Sequence, residues 1–362
     1  MRIIVSAGGT GGHLYPALAL VDYIKSQEPD AEFLFVGTTD RLESKVVPSL
    51  GYNYRGLHVK GLVGNPLQKA KNAMIFVNSL KTSKKILKAF KPDIVIGFGG
   101  YPIASIVLAA SQKHIPTMIH EQNSIIGLTN KILIKRVDEI ICCYEKAYEQ
   151  FPKEKTKLLG NPRASKVWEN DLKDVHDMYN IPKGKKVLVI VMGSLGSRSV
   201  NQVMTDTLRR MKDKDYHVLY VTGKDYYDEM IKATGDLGDH IHIVPYIDDM
   251  PSVLSSSDVI VSRAGATTLA EMTSLGSCSI IIPSPYVVAN HQEYNARELA
   301  DKGAAIMVLE KDLNPSHLVG TIDGLMFNDE KRNALKKASK ALGKPHACED
   351  IYKEIKNLLN RG

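Results

Sequence analysis

The chain has 362 residues, of which 44% are hydrophobic and 24% are charged, and its formal net charge is +7. This composition is typical of globular proteins and excludes intrinsic disorder, while the length suits two domains of about 100–200 residues each. The four cysteines are too few for a disulfide framework in a chain of this size and show neither CxxC nor zinc-ligand spacing, so a reducing, cytoplasmic compartment is predicted.

The first half of the chain alternates short β-branched runs with longer amphipathic runs. Strands are predicted at 2–6, 33–36, 94–97, 117–119 and 139–143, and helices at 15–27, 70–90 and 102–112. The first strand follows Met1 directly, which leaves no room for a signal peptide.

The second half repeats this pattern after the turn sequence Gly160-Asn161-Pro162-Arg163. Strands are predicted at 187–191, 217–221, 241–244, 258–261 and 278–282, and helices at 197–212, 266–275 and 290–301. After about residue 312 only helical patterns remain, and the last helix is predicted near 345–360.

These patterns predict an α/β fold with two Rossmann-like domains. Near-continuous apolar strands separated by helices are typical of parallel sheets that helices cover on both faces. We expect an N-terminal domain over 1–163, a C-terminal domain over 164–344, and a helix within 345–362 that packs back on the N-terminal domain. The two parallel sheets are expected to face a cleft, with ligands beyond the carboxyl ends of the strands.

No transmembrane helix is predicted. A membrane span needs about 18 unbroken apolar residues, and the nearest candidates are residues 94–112 and 273–290. Glycines and prolines interrupt both segments, so each is interpreted as a buried strand, a loop and the start of a helix.

The loop after the first strand, Ala7-Gly8-Gly9-Thr10-Gly11-Gly12-His13, is the first candidate for ligand binding. Its four glycines allow backbone N–H groups to approach an anion at a helix N-terminus, although a tight strand-to-helix turn explains them as well. The loop is not a P-loop, and it lacks the third glycine of GxGxxG. His13 stands at the helix start, where an imidazole can act as a base or donate a hydrogen bond to a phosphate.

Two further loops of the first half follow apolar strands. Gly97-Phe98-Gly99-Gly100-Tyr101-Pro102 leads into a helix, and His120-Glu121-Gln122-Asn123 follows the strand at 117–119. A lone histidine is most often structural, but four polar residues in succession at a strand end favour an ionisable pair in the cleft.

The second domain shows the same arrangement of strand-end loops. Met192-Gly193-Ser194-Leu195-Gly196-Ser197 is a Gly/Ser turn suited to a diphosphate at a helix N-terminus. Glu271 can accept hydrogen bonds from two vicinal hydroxyls of a ribose, or it can complement the positive end of its helix as a first-turn carboxylate. The triplet Asp213-Lys214-Asp215 precedes a strand at the opposite end of the sheet, so no metal site is predicted.

Together these loops resemble those of the MurG family of GT-B glycosyltransferases, which adds N-acetylglucosamine to lipid I in bacterial cell-wall synthesis. Seven motifs occur in the family's order: GGTGGH at 8–13, GFGGYP at 97–102, HEQN at 120–123, GNPR at 160–163, GSLG at 193–196, SRAGATTLAE at 262–271 and HQEYNA at 291–296. One such loop is weak evidence, whereas seven in order are strong. The chain departs from the family at Met192, where a further glycine is usual.

The resemblance implies a donor site for UDP-N-acetylglucosamine in the C-terminal domain. Ser194 and Arg163 would bind the diphosphate, the backbone near Ile247 the uracil, and Glu271 the ribose, while other residues would hold the sugar or close over the donor. The implied donor-binding residues are Thr10, Gly11, Gly12, Asn123, Arg163, Ser194, Ile247, Ala266, Thr267, Thr268, Leu269, Ala270, Glu271, Gln292 and Asn295.

The resemblance also implies an acceptor site for lipid I in the N-terminal domain, near His13, Tyr101, His120 and Glu121. The muramyl 4-hydroxyl would attack the anomeric carbon with inversion while UDP leaves, which requires a base near the hydroxyl and stabilisation of the diphosphate. His13 is the first candidate for the base, with Glu121 and His120 as alternatives. No cofactor and no metal ion is expected, because helix N-termini and Arg163 can stabilise the diphosphate.

The charge is unevenly distributed, since residues 1–163 carry a net +9 and residues 164–362 a net −2. No acidic residue lies between Glu43 and Asp93, where ten basic residues occur. Within the predicted helix at 70–90, Met74, Val77 and Leu80 are interleaved with basic residues. The lysines of this region are Lys69, Lys71, Lys81, Lys84, Lys85 and Lys88.

Two interpretations of this lysine-rich helix remain open. It is either a solvated helix that covers the sheet, or a patch over 69–88 that binds the anionic cytoplasmic leaflet, where each nearby lysine contributes about 1 kcal/mol. The second interpretation places the protein peripherally on the cytoplasmic face of the cell membrane. Nucleic acid is disfavoured as a partner because base-stacking aromatic residues are scarce in this region.

Two other functions compete with the glycosyltransferase. A UDP-sugar 2-epimerase of the same architecture would use the same donor loops without a lipid acceptor. A non-catalytic, membrane-bound scaffold for cell-wall enzymes comes from a different class, and other cell-wall enzymes are partners that the resemblance allows. A Rossmann dehydrogenase is excluded by the absence of GxGxxG.

Overall fold

The computed structural model describes residues 1–61, 65–169, 171–193 and 196–361, without the side chains of residues 66, 67, 69 and 70. The chain divides into two compact units, which are Met1–Ser165 with His346–Gly362 (unit 1) and Lys166–Pro345 (unit 2). No helix of the described residues is long and apolar enough to cross a membrane.

Unit 1 is built on a seven-stranded parallel sheet with the strand order β3-β2-β1-β4-β5-β6-β7. Its strands are β1 (Arg2–Ser6), β2 (Glu32–Thr38), β3 (Asn53–Leu57), β4 (Ile94–Gly97), β5 (Thr117–Glu121), β6 (Glu139–Cys142) and β7 (Thr156–Leu158). Its helices are α1 (Gly11–Gln27), α2 (Leu42–Ser49), α3 (Pro66–Phe90), α4 (Tyr101–Ser111), α5 (Leu128–Leu133), α6 (Glu145–Gln150), α7 (Arg163–Lys166, at the junction with unit 2) and the C-terminal α16 (Ala347–Leu359).

Unit 2 is built on a six-stranded parallel sheet with the strand order β10-β9-β8-β11-β12-β13. Its strands are β8 (Val187–Val191), β9 (His217–Val221), β10 (Ile241–Val244), β11 (Val259–Ser262), β12 (Ser279–Ile281) and β13 (Ile306–Met307). Its helices are α8 (Val175–Met178), α9 (Arg198–Arg209), α10 (Tyr227–Thr234), α11 (Met250–Ser256), α12 (Ala266–Leu275), α13 (His291–Ala300), α14 (Pro315–Met326) and α15 (Asp329–Leu342). The predicted α/β fold with two parallel sheets is confirmed.

The sequence analysis missed three strands, and all three lie at sheet edges. β3 and β7 are the outer strands of the first sheet, and β13 is an outer strand of the second. β3 has mostly exposed side chains and contains Gly56, so it lacks the apolar run by which central strands are recognised.

The core of unit 1 occupies both faces of its sheet, as the alternation along β1 requires. Ile3 and Val5 pack with α1 and with Ile355 of α16 on one face, whereas Ile4 packs with Ile106 of α4 on the other. All of these side chains are buried. Helices therefore cover both faces of the sheet, which leaves its strand-end loops as the place for a ligand site.

Helix α3 begins four residues earlier than the predicted residue 70 because of its cap. Asn65 accepts a hydrogen bond from Gln68 N–H at 2.9 Å, and the Gln68 side chain accepts one from Asn65 N–H at 3.2 Å. Pro66 occupies the first helical position, where its missing N–H costs nothing.

Helix α16 lies against α1 and belongs to unit 1 although it ends the chain. Tyr352 Oη–H and Lys356 Nζ both donate to Glu28 Oε1 at 2.7 Å. Arg361 forms an ion pair with the buried Glu139 at 3.3 Å.

Candidate active site

In unit 1 the candidate site begins with the loop between β1 and α1. Helix α1 starts at Gly11, earlier than the predicted residue 15, and Thr10 precedes it in an extended conformation. Gly8 N–H donates to Gly99 O at 3.2 Å and so ties this loop to the loop after β4. Gly100 has a φ of +85°, and a Cβ there would lie 2.4 Å from Gly8 O, so this close approach requires glycine.

His13 lies in the first turn of α1 with its side chain half-buried. Its Nδ1 is 2.9 Å from Gly8 O and 3.4 Å from Thr10 Oγ1. A carbonyl oxygen only accepts, so in the neutral ring Nδ1 carries the hydrogen and Nε2 does not. Within the described residues Nε2 has no hydrogen-bond partner, and the neighbouring Thr10 and Gly12 are exposed. One ring nitrogen is thus available to accept a proton.

A buried carboxylate that the sequence analysis did not identify braces this loop. Glu43, in the first turn of α2, is 1% exposed. Its Oε2 accepts from Gly9 N–H at 3.1 Å, while its Oε1 accepts from Thr38 N–H at 2.9 Å and from Thr38 Oγ1–H at 2.7 Å. One feature of the sequence could have identified Glu43, because it is a carboxylate that follows shortly after the end of β2. Ligand loops of parallel sheets lie at such strand ends.

His120 is a buried residue of β5 that connects three strand-end loops. Its Nε2 donates to Gly160 O at 3.0 Å, and its Nδ1 accepts from Gln122 Nε2 at 2.9 Å. Gln122 also donates to Phe98 O at 2.9 Å, and the Phe98 ring stacks on the His120 ring. Burial lowers the pKa of His120 to about 4, so its ring is neutral near pH 7.

Glu121, the last residue of β5, is buried and accepts hydrogen bonds from the loop that follows it and from α5. Its Oε2 accepts from Gly127 N–H at 2.9 Å and from Asn130 Nδ2 at 2.8 Å, and its Oε1 accepts from Asn123 N–H at 3.1 Å. The carboxylate therefore orders residues 122–127 and fixes the half-buried Asn123 beside it.

Two other predicted residues of unit 1 lie at helix starts. Tyr101 is the first residue of α4 and is 52% exposed. Arg163 begins α7, and its N–H donates to Asn161 Oδ1 at 3.0 Å. The hydrogen bonds of Gly8, Gln122 and His120 thus bring together the loops after β1, β4, β5 and β7.

In unit 2 the loop between β8 and α9 is the predicted diphosphate loop, in which Ser194 and Leu195 lie outside the described residues. Gly196 has a φ of +72°, and a Cβ there would lie 2.1 Å from Thr222 O at the end of β9, so glycine is required. Met192, the departure from the family pattern, packs its side chain into the core of the unit.

A buried arginine that the sequence analysis did not assign connects three loops of unit 2. Arg263 follows β11, and its Nη2 donates to Ser197 Oγ at 2.6 Å just before α9. Its Nη1 donates to Ile282 O at 3.1 Å after β12 and forms an ion pair with Glu310 at 2.6 Å. The sequence signal that was overlooked is an arginine directly after an apolar strand. Arg263 is buried, and a buried cation requires hydrogen-bond and ion-pair partners.

Helix α12 begins at the predicted Ala266 and has no acidic residue in its first turn. Glu271 is its sixth residue and is buried, so the interpretation of Glu271 as a first-turn carboxylate that complements the helix dipole is wrong. Leu269 is buried in the core, whereas four predicted residues of the first turns are half-buried, namely Ala266, Thr267, Thr268 and Ala270.

The last predicted donor residues lie in α13 and in the loop after β10. Gln292 Oε1 accepts from Ser284 N–H at 2.9 Å. Asn295 is fully buried and donates to Ala264 O at 3.3 Å, which ties α13 to the loop before α12. Ile247 is buried in the loop that follows β10.

The described residues contain no group of three His, Cys, Asp or Glu side chains that could hold a metal ion. In the triplet of residues 213–215, Lys214 donates to Asp323 at 2.7 Å, and Asp215 pairs with Lys185. Lys214 and Asp215 of the triplet are therefore engaged in ion pairs within unit 2.

Comparison with known sequences identifies the family to which these loops belong. The glycosyltransferase family 28 N-terminal domain matches residues 3–142, and the family 28 C-terminal domain matches residues 187–351. A Bacillus cytotoxicus protein, named UDP-N-acetylglucosamine–N-acetylmuramyl-(pentapeptide) pyrophosphoryl-undecaprenol N-acetylglucosamine transferase, is 44% identical over 100% of both chains. The relative of the same name from Listeria welshimeri is 42% identical over 99% of this chain and 100% of its own.

The crystal structure of Acinetobacter baumannii MurG is similar along the whole chain, with a TM-score of 0.80 and 25% identity over 98% of this chain and 99% of that one. This chain belongs to the MurG family. The resemblance predicted from seven loops is therefore confirmed, and the MurG-family chain is a glycosyltransferase of family 28.

A UDP-N-acetylglucosamine 2-epimerase from Neisseria meningitidis, bound to UDP-N-acetylglucosamine, is also similar in structure. Its TM-score is 0.69 with 14% identity over 99% of this chain and 100% of that one. At this identity the likeness shows a shared fold alone.

Proposed function

We propose that this chain transfers N-acetylglucosamine from UDP-N-acetylglucosamine to the 4-hydroxyl of the muramyl sugar in lipid I, with inversion, and so forms lipid II. The full-length relatives carry this activity in their names, which confirms the predicted N-acetylglucosaminyltransferase. The epimerase alternative has only distant structural neighbours for support.

The observation that carries the mechanism is the ring orientation of His13. Its Nδ1–H is engaged by Gly8 O at 2.9 Å, so Nε2 holds a lone pair at the end of the glycine-rich loop. In the proposed reaction Nε2 takes the proton of the 4-hydroxyl as its oxygen bonds to the anomeric carbon. The bond from that carbon to the diphosphate breaks, and UDP leaves with the electron pair.

His120 and Glu121 act in this proposal by positioning other groups. Both nitrogens of His120 are hydrogen-bonded inside unit 1, and the ring is neutral near pH 7. The Glu121 carboxylate accepts three hydrogen bonds from the loop that follows it and from α5, which leaves it poorly placed to take a proton from a substrate. We assign to both residues the task of holding the loop that carries Asn123, while Tyr101 contacts the acceptor.

Unit 2 binds the donor in this proposal. Backbone N–H groups at the start of α9 stabilise the diphosphate, and Glu271 accepts from the ribose hydroxyls. Arg263 holds Ser197, and Asn295 holds Ala264, so the loops before α9 and α12 are ordered before the donor arrives. Such preorganisation lowers the cost of stabilising the charge that develops on UDP.

The purified protein with labelled UDP-N-acetylglucosamine and a lipid I analogue tests the reaction. We expect label to enter lipid II and UDP to be released only when the analogue is present. Epimerisation of the sugar without an acceptor would instead favour the 2-epimerase, and binding of UDP-N-acetylglucosamine without turnover would favour the scaffold.

Replacement of His13 by alanine tests the base. We expect kcat with the lipid I analogue to fall about 10²–10⁴-fold, because the general base is lost, while UDP-N-acetylglucosamine binds as before. His317→Ala, an exposed histidine of α14, serves as the matched control. A kcat of His13→Ala within about threefold of the parent chain would exclude the role, since that loss lies far below the range for a base.

We further propose that α3 and α5 form a membrane-facing surface of unit 1. Both helices pack beside α4 on the sheet face that contains Ile4. Met74 is 70% exposed, and Leu128 is 66% exposed, each with an exposed apolar neighbour one turn away, Val77 and Ile132. Apolar side chains exposed in this way suit the boundary between headgroups and acyl chains.

Lysines surround these apolar side chains. The exposed lysines are Lys71, Lys81, Lys84, Lys85 and Lys88 on α3, and Lys131 and Lys135 on or next to α5, while the side chain of Lys69 lies outside the described residues. None of the seven forms an ion pair within the described part of the chain. We infer a peripheral position on the anionic cytoplasmic leaflet, where lipid I and other cell-wall enzymes would be met.

A further inference from the structure

The peptide group between Gly8 and Gly9 is hydrogen-bonded at both ends to ionisable side chains. Its carbonyl oxygen accepts from His13 Nδ1 at 2.9 Å, and its N–H donates to Glu43 Oε2 at 3.1 Å. The two bonds leave opposite ends of one planar amide, so carboxylate, peptide and imidazole form a continuous hydrogen-bonded series.

We propose that Glu43 is a positioning residue for His13 and acts on the ring through the Gly8–Gly9 peptide. The proposal rests on the assignment of His13 as the base. A carboxylate at the N–H end polarises the amide and makes its oxygen a better acceptor for Nδ1–H. The ring is thereby held in the tautomer that exposes the Nε2 lone pair, and the cation that forms after proton transfer is stabilised.

The role resembles that of the carboxylate in a serine hydrolase triad, with a peptide group inserted between carboxylate and histidine. Glu43 is 1% exposed, so water does little to screen its charge from the peptide. Thr10 Oγ1, at 3.4 Å from Nδ1, is a longer second acceptor for the same hydrogen.

The surroundings fix the three groups in place. Thr38 donates twice to Oε1 of Glu43, which leaves Oε2 directed at Gly9 N–H. Gly100 approaches Gly8 O so closely that a Cβ would lie 2.4 Å from it. A Cβ on Gly8 itself would lie 2.4 Å from Pro102 Cγ, so the peptide is confined from both sides.

Glu43→Gln tests the proposal with little change in volume. Because Thr38 presents two donors to Oε1, the glutamine oxygen remains there and its NH₂ group faces Gly9 N–H, which removes the bond to the peptide. We expect kcat with a lipid I analogue to fall about 10–100-fold, the range seen when a partner that orients a metal-binding histidine is removed. The KM for UDP-N-acetylglucosamine should stay within about twofold, because the lost interaction serves the reacting proton.

A spectroscopic measurement separates this role from general support of the fold. The ¹⁵N shifts of the His13 ring, assigned by their loss in His13→Gln, should report the Nδ1–H tautomer in the parent chain and a mixture of tautomers in Glu43→Gln.

Two control variants leave the hydrogen bonds from Glu43 through the Gly8–Gly9 peptide to His13 in place. One removes a different hydrogen bond of Glu43, and the other removes a buried charge elsewhere in unit 1. Thr38→Val deletes one donor to Oε1 but keeps the carboxylate, and Glu139→Gln neutralises another buried glutamate of unit 1. We expect both to keep the Nδ1–H tautomer of His13.

The outcomes distinguish this proposal from the assignment of the base. An Nε2–H tautomer in the parent chain overturns the proposal without any variant, and so does an unchanged tautomer in Glu43→Gln. If Glu43→Gln changes the tautomer while His13→Ala retains its kcat, the series is supported and His13 is not the base. If His13→Ala loses activity while Glu43→Gln does not, the base is supported and the proposed role of Glu43 is wrong.

Discussion

We propose that Glu271 recognises the donor by charge rather than by shape. It is buried in the second turn of α12. We expect Glu271→Ala to weaken UDP binding about 10- to 100-fold, since charge-assisted hydrogen bonds are worth about 1.5–3 kcal/mol. Calorimetric titration with UDP measures this, with Glu330→Gln, an exposed glutamate of α15, as the control. Unchanged UDP affinity would contradict the assignment of Glu271 to the ribose.

The buried His120 makes the stability of unit 1 depend on pH. Its pKa is lowered from 6.5 to about 4, so between these values the unfolded chain binds a proton that the folded chain does not. The stabilising contribution is complete above about pH 6.5 and is lost progressively as the pH falls towards 4. From about pH 7.5 to 5 the loss attributable to His120 is about 2 kcal/mol.

Denaturant unfolding at the two pH values measures this loss. We expect the free energy of unfolding of His120→Gln to fall by about 2 kcal/mol less than that of the parent chain over the same interval, because glutamine does not titrate. Equal pH dependence of the two proteins would show that His120 does not contribute.

Residues at or shortly beyond the ends of apolar strands could be predicted as site candidates, and residues that support them from elsewhere could not. His13, His120 and Glu121 each follow or end an apolar strand of the first sheet. Glu43 and Arg263 are found only from their partners, because a single charged residue after a strand has the same sequence signature on the surface as in a buried network. The ring orientation of His13 also needed coordinates, since it depends on a backbone oxygen five residues away.

Among the helices and strands, α3 is the element whose lysines we expect to bind anionic lipid. Changing Lys81, Lys84 and Lys85 to glutamine should weaken binding to vesicles with anionic lipids about 100-fold, since each lysine near the surface contributes about 1 kcal/mol. UDP-N-acetylglucosamine binding should be unchanged. Vesicle co-sedimentation at low and high salt measures the effect.

The matched control changes three exposed lysines of unit 2, Lys331, Lys337 and Lys344, to glutamine. We expect this variant to bind anionic vesicles as the parent chain does. Equal binding of the parent chain to neutral and anionic vesicles, or an equal effect of both triple variants, would exclude α3 as the membrane-facing element.

Central elements could be predicted from sequence because burial on both faces enforces a continuous apolar run, as in β8. The boundaries of helices depended on caps, and α3 shows this, since the Asn65–Gln68 pair adds a turn that hydrophobic periodicity does not reveal. The start of α1 was missed for a related reason, because Gly11 and Gly12 have no side chain to enter a periodic pattern.

At the scale of the whole molecule, the last helix stabilises the first strand. Ile355 of α16 is fully buried against the sheet face that holds Ile3 and Val5. We expect Ile355→Ala to lower the free energy of unfolding of unit 1 by about 2–5 kcal/mol, through lost apolar burial and a residual cavity. Hydrogen exchange of β1 amides, compared with β8 amides, locates the effect.

The control is Ile231→Ala in α10 of unit 2, where the side chain is partly exposed and the expected change is within about 0.5 kcal/mol. Loss of protection in β8 with β1 unaffected would contradict the assignment of α16 to unit 1.

Because α16 closes unit 1, the order of synthesis on the ribosome matters for this chain. Lys166–Pro345 must be translated between the two parts of unit 1, which takes roughly 10 to 40 s at about 5–20 residues per second. During that interval the nascent chain exposes the apolar side of α1, including Leu20 and Ile24, which Ile355 later helps to cover. Unit 2, continuous in sequence, is complete before the final helix emerges. The half that carries His13 is therefore the first to be made and the last to be finished.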